Sequence, residues 1–76
     1  DQPTAIAALS ALAQDTRMAV FRLLVQAGPE GMTAGDIAAA VDSVPSTLSH
    51  HLGLLERAKL VTSVRHGRSL IYAADY

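Results

Sequence analysis

The chain between Thr33 and Ala58 is interrupted once, at Asp42-Ser43-Val44-Pro45, and this break constrains the fold more than any other feature. A residue that precedes proline is pushed away from helical geometry, so no helix runs into Pro45 from the N-terminal side. Just before the break lies a full set of helix-start signals. Thr33 fits the N-cap, Asp36 sits at the third helical position as a weaker version of the capping-box Glu, and Met32 with Ile37 matches the hydrophobic staple. These predict a short helix reaching about Val41. Beyond the break a longer helix is expected over Pro45 to Ala58, with Pro45 tolerated in its first turn and Ser43 or Val44 at the cap. Leu48, Leu52 and Leu55 recur at i, i+4 and i+7 and therefore face a core. Ser46, Ser49 and Gly53 lie on another face, with His50 beside them. That face is small, polar and weakly charged, where a solvated helix would carry Glu and Lys, so it looks shaped to approach something closely.

Upstream, Thr4 to Ala13 is a helix candidate, with Pro3 near its first turn and a composition of strong helix formers. Only Ser10 interrupts its apolar surface, so it wants cover on more than one side. A partner subunit is the expected second cover, met by Ile6, Leu9 and Leu12; the alternative is a fully internal helix. Asp15 is read as the N-cap of a second helix, Thr16 to Ala27. Val20, Leu23, Leu24 and Ala27 place one stripe of that helix on the core, and Arg17, Arg22 and Gln26 take the wet side. Gly28 followed by Pro29 ends it. Downstream, Leu60 to Arg65 and Arg68 to Ala73 are rich in Val, Ile, Leu and Tyr and flank His66-Gly67, which predicts a β-hairpin. A two-residue His66-Gly67 loop sets Arg65 opposite Arg68, a like-charge pair that an anionic ligand would relieve.

At 76 residues, half of them hydrophobic and 17% charged, the chain is expected to be one globular domain over residues 1–76. Such a chain buries roughly 60 to 65% of its unfolded surface, so help from a partner subunit is plausible. With no cysteine it has no disulfide, thiolate metal site or thiol nucleophile. No apolar run spans a bilayer and the first residues lack the basic-then-apolar layout of a secretory signal, so a cytoplasmic protein with no membrane partner is expected. The net charge of −1 gives no global sign of polyanion binding. The halves differ, however. Asp1, Asp15, Glu30, Asp36 and Asp42 outweigh Arg17 and Arg22 in the first half. From Ser43 onward, Arg57, Lys59, Arg65 and Arg68 outweigh Glu56 and Asp75, and all three histidines are there too. A polyanion should meet the second half.

The expected fold is therefore mainly α with a β-hairpin, an α+β winged helix-turn-helix. Its second helix can enter the major groove of DNA, and the arginine-tipped hairpin serves as a wing. On the same residues the chain resembles the ArsR/SmtB family of winged-helix repressors. The stretches that carry the likeness are ALAQDTRMAVFRLL from Ala11, GDIA from Gly35, STLSHHL from Ser46, LLERAKLV from Leu54 and RHGRSLIY from Arg65. The resemblance implies a cytoplasmic homodimer that represses transcription by binding palindromic, double-stranded operator DNA, and that an effector, most often a metal or metalloid ion, releases. Carried over residue by residue, Ser46, Thr47, Ser49 and His50 match the family's major-groove face, and Arg65, His66 and Arg68 match its wing.

Three positions depart from the family pattern. Gly53 stands where Lys or Arg is common, Lys59 stands where many relatives have a helix-ending Gly, and the chain stops at Tyr76 where relatives begin a final dimerisation helix. The expectation is that this helix belongs to a longer chain. The cysteines that bind arsenite or cadmium in the third helix of many relatives are absent, so no metal site is assigned to this chain. Gly31 to Ala38 is similar to relatives that hold arsenite with a cysteine pair in a C-terminal tail. That similarity implies arsenite, bound outside these residues, as the effector of the full-length protein.

Adjacent His50 and His51 point about 100° apart on a helix, so they do not readily share a metal. His51, near the core face, reads as a packed, hydrogen-bonded residue, and His50 projects outward. No Gly-rich phosphate loop, H-E-x-x-H or Ser with a base and orienting acid is present, so no enzyme is expected. The alternative reading is a winged helix used for protein assembly without DNA binding, since fold does not imply function.

Overall fold

The computed structural model describes residues 2–75. Helix α1 spans Gln2–Leu12 and α2 spans Asp15–Ala27, followed by one 3-10 turn over Gly28–Glu30. A two-residue strand β1, Met32–Thr33, leads into α3, Ala34–Val41; α4 spans Pro45–Arg57, and β2, Val61–His66, and β3, Ser69–Ala74, close the fold. The sheet is antiparallel in the order β1-β3-β2. The winged helix-turn-helix expected from the sequence is thus present, with one strand that the periodicity did not announce.

Val20 and Leu24 from α2, Ile37 from α3 and Leu48, Leu52 and Leu55 from α4 are the largest fully buried side chains. Each such burial stabilises the fold by about 1.5–3 kcal/mol. Ala11, Ala58, Val61 and Tyr72 complete the buried apolar core. Glu56 ties α4 to the sheet by accepting a 3.1 Å hydrogen bond from the Ser63 hydroxyl. Burial first, and the Glu56 carboxylate second, push the Tyr72 hydroxyl above its ordinary pKa.

The break at Asp42-Ser43-Val44-Pro45 is built as a helix terminus. Asp42 takes the left-handed conformation at φ 54°, and Ser43 donates its amide to the Ala38 carbonyl at 3.0 Å. Asp tolerates this conformation better than a branched residue does. α4 ends in the same style. Lys59, at φ 63°, donates to the Glu56 carbonyl and Leu60 donates to the Leu55 carbonyl, the paired bonds of a Schellman motif. A lysine therefore holds the left-handed conformation that favours a helix-ending glycine.

Four sequence expectations change. Gln14, not Asp15, caps α2: its side chain accepts the Arg17 amide at 2.9 Å, and Asp15 occupies the first helical position, where its charge still suits the helix dipole. Arg17 leaves the wet side and is half-buried, because its long side chain reaches the Ala11 carbonyl at the end of α1 and His51 on α4. The hairpin turn is Gly67-Arg68 rather than His66-Gly67, since His66 pairs with Ser69 and Arg65 with Leu70. Gly67 at φ 61° takes the first central position, where a type II′ turn wants glycine. Arg65 and Arg68 are consequently not opposed, and the like-charge cost assigned to them does not arise. Finally, β1 joins the sheet through Met32 paired with Tyr72 and Thr33 with Ile71. The other helix start holds: Thr33 Oγ1 accepts the Asp36 amide at 3.1 Å.

Candidate nucleic-acid interface

The exposed side of α4 is set by what its other side buries. Leu48, His51, Leu52 and Leu55 are buried, while Ser46, Thr47, Ser49 and His50 are all exposed. At about 100° per residue, Ser46, Ser49, His50 and Gly53 share an arc of roughly 100° diametrically across the helix from Leu48 and Leu55. Thr47 lies roughly 60° beyond the His50 edge of that arc. Val44 caps the helix without a side-chain bond, so the first-turn amides that follow Pro45 have no side-chain acceptor and are open to an anion such as a phosphate. Short hydroxyls on this turn reach base edges or phosphates with little conformational entropy to lose.

The register of the hairpin separates the wing residues. Val61, Ser63 and Arg65 alternate onto one face, and the first two contact the core and α4. Arg65 therefore lies on the helix-bearing face of the sheet, His66 on the opposite face and Arg68 in the turn itself. All three are exposed.

His51 confirms the structural role read from its position. It is 7% exposed, and its Nδ1 lies 3.2 Å from Arg17 Nη1. Burial, then Arg17, then His50, hold its pKa below the usual histidine value. The His50 and His51 rings are 5.9 Å apart and tilted, and no group of three or more metal-ligating side chains occurs among the described residues.

On α1, Ile6 is 62% and Leu9 71% exposed, whereas Leu12 is half-buried and packs against this chain's own core. No helix among the described residues is long and apolar enough to cross a membrane.

A family model described as a helix-turn-helix domain matches residues 12–64, more than half of the chain. The chain belongs to this helix-turn-helix family. A comparison with curated proteins finds no match. Among solved structures, HlyU from Vibrio cholerae N16961 superposes with a TM-score of 0.87 at 23% identity, covering 99% of this chain and 78% of that one, and shows the fold alone. The homodimeric winged helix-turn-helix DNA-binding domain Mb0332 of Mycobacterium bovis, a possible ArsR-family transcriptional regulator, gives 0.87 at 26% identity, covering 96% of this chain and 65% of that fragment. An ArsR-like transcriptional regulator from Rhodococcus sp. RHA1 gives 0.83 at 26% identity, covering 96% and 66%. These neighbours support the ArsR-type likeness that the sequence carries.

One further residue of this helix-turn-helix domain belongs to the same face. Arg57 is exposed in the last turn of α4. It falls at i+7 from His50 and i+4 from Gly53, so it continues the same stripe and adds the only cation on it. Extending the 3.6-residue period past Gly53 would have found it.

Proposed function

We propose that this chain is the DNA-binding domain of an ArsR-type transcriptional repressor that binds a palindromic operator as a homodimer. The observation that carries the reading is the division of α4: its inner face is fully committed to the core, and its outer face presents Ser46, Ser49, His50 and Gly53 free of any internal partner. Ser49 and His50, flanked by Ser46 and Thr47, read bases in the major groove. Arg65 and Arg68 bind phosphates through charge-assisted hydrogen bonds, with His66 beside them. Ile6 and Leu9, joined by the outer edge of Leu12, form the pairing face on α1. In a symmetric dimer the two α4 helices then sit about 34 Å apart, one turn of DNA, or a multiple of it.

Fluorescence anisotropy with duplex DNA tests this. Log affinity falls with log salt at about −0.9 per phosphate neutralised. Arg68→Ala weakens binding to all sequences alike, whereas Ser49→Ala alters sequence preference. Equal operator affinity in both variants, or a flat salt profile, would favour a protein-assembly role instead. The reading extends to release by an effector. Similarity of Gly31–Ala38 to arsenite-responsive relatives supports arsenite, held by residues outside this cysteine-free chain. Undiminished operator binding by the full-length protein at saturating arsenite overturns that part alone.

A further inference from the structure

Arg17 stands in the first turn of α2, and its guanidinium reaches two other helices at once. Its Nε donates to the Ala11 carbonyl at 2.6 Å, and its Nη1 lies 3.2 Å from His51 Nδ1. Arginine has no acceptor, so Nη1 donates and Nδ1 accepts; the imidazole in this contact is neutral, with its proton on Nε2. Ala11 is the next-to-last residue of α1, and its carbonyl is among those a helix end leaves without an intrahelical partner. His51 sits on α4 directly after His50, on the buried side of the helix. One side chain thus joins the end of α1, the start of α2 and the middle of α4.

Burial of Leu48, Leu52 and Leu55 selects which side of α4 turns inward, but apolar contacts are non-directional and tolerate small rotations about that setting. A guanidinium fork that bonds α1 through one nitrogen and α4 through another narrows that freedom. Resting on the DNA-binding reading above, we propose that Arg17 and His51 are positioning residues that set the angle at which α4 presents Ser49 and His50 relative to the pairing helix α1. In a two-fold dimer joined through α1, the separation and tilt of the two α4 helices are fixed by the α1-to-α4 geometry of each copy, and any error appears twice. The link therefore matters more for engaging both halves of a palindrome than for engaging one half.

The contact also titrates, since protonated Nδ1 cannot accept. The charged groups facing His51 are Arg17 from α2 and His50 from its own helix. α1 has no charged residue, α3 has only Asp36 in its exposed first turn, and Arg65 and His66 of β2 lie out towards the hairpin tip. Glu56 on α4 is engaged by Ser63.

The test uses the full-length protein and a palindromic duplex selected by it from random-sequence DNA, alongside the isolated half-site. Arg17→Met keeps the aliphatic stem and removes the fork. It is expected to lower palindrome affinity about tenfold and half-site affinity by less than about threefold, the scale of losing one hydrogen bond to a charged group. His51→Asn puts an amide oxygen near the Nδ1 position and does not titrate, so it retains the palindrome preference. As the solution is acidified through and below the ordinary histidine value of 6.5, the wild-type preference for palindrome over half-site drops, and that of His51→Asn does not. His50 and His66 are present in both proteins, so the difference between them isolates His51. Equal losses on both duplexes in Arg17→Met, or parallel acid profiles for wild type and His51→Asn, overturn the proposal. If the wild-type protein selects no duplex, the DNA reading itself has failed. The link is then read separately by NMR: the Ala11 and Leu12 amide shifts must follow the His51 titration in wild type and stay fixed in His51→Asn.

Discussion

Gly28 and Gly31 share nearly the same backbone, with φ of 78° and 70° and ψ of −165° and −168°. This region is close to glycine-only, so an alanine at either position costs about 1–3 kcal/mol in strain. Their surroundings differ completely. A Cβ on Gly28 meets nothing within 4 Å, whereas one on Gly31 collides with the Tyr72 carbonyl oxygen and comes within 2.9 Å of Ile71 Cγ2. The carbonyl is backbone in β3, directly beside the Met32–Tyr72 pair, so relief requires β1 to leave the sheet. That adds an overpacking cost of about 1–3 kcal/mol. Gly28→Ala should therefore lose about 1–3 kcal/mol and Gly31→Ala about 2–6 kcal/mol, against a total of about 4–11 kcal/mol expected for a chain of this length. Urea denaturation of the two variants in parallel reads the difference directly, because the strain is common to both. Equal midpoints would refute the reasoning, since they would mean that β1 does not press Gly31 against β3 in solution.

Lys59→Gly should raise stability by up to about 1 kcal/mol, the left-handed penalty less the added entropy of glycine in the unfolded chain, and thermal melting should rise by several degrees. Gly53→Ala, at a helical site where a Cβ meets nothing within 4 Å, should stabilise by about 0.5–1 kcal/mol in the same assay. The His51 pKa is lower folded than unfolded, so the unfolded chain binds the proton more tightly. Stability from this residue is present above the ordinary histidine value of 6.5, declines as pH falls through it and levels off below the folded pKa. Urea titrations of wild type and His51→Asn across that range should diverge on the acid side only.

The helices were legible because their signals are local. Thr33, Pro45 and the Leu48-Leu52-Leu55 spacing act within one or two turns, and the structure follows them. What the sequence left hidden depends on partners remote along the chain. β1 is two residues long and exists only because Tyr72 and Ile71 come back to meet it, so neither length nor alternation marks it. Arg17 looked solvent-bound because periodicity assigns a position to a face, while a long side chain can lie along that face to reach a carbonyl and an imidazole. The hairpin misreading was different, since Gly67-Arg68 fits the Gly-X pattern of a type II′ turn as well as His66-Gly67 fits an X-Gly one. A one-residue choice moved Arg65 from facing Arg68 to facing Leu70. At the site, the exposed face of α4 was readable up to Gly53, and Arg57 was missed because the stripe was not followed to the helix end.

The brevity of β1 has a mechanical result. It grips β3 only at Ile71 and Tyr72, so Ser69, Leu70 and the segment of β2 across from them stand as a two-stranded ribbon with no third strand to stiffen it. Two-stranded ribbons twist more freely than wider sheets and have little stability of their own. The domain thus carries Arg65 and Arg68 on the least supported part of the sheet, a cantilever clamped at its root.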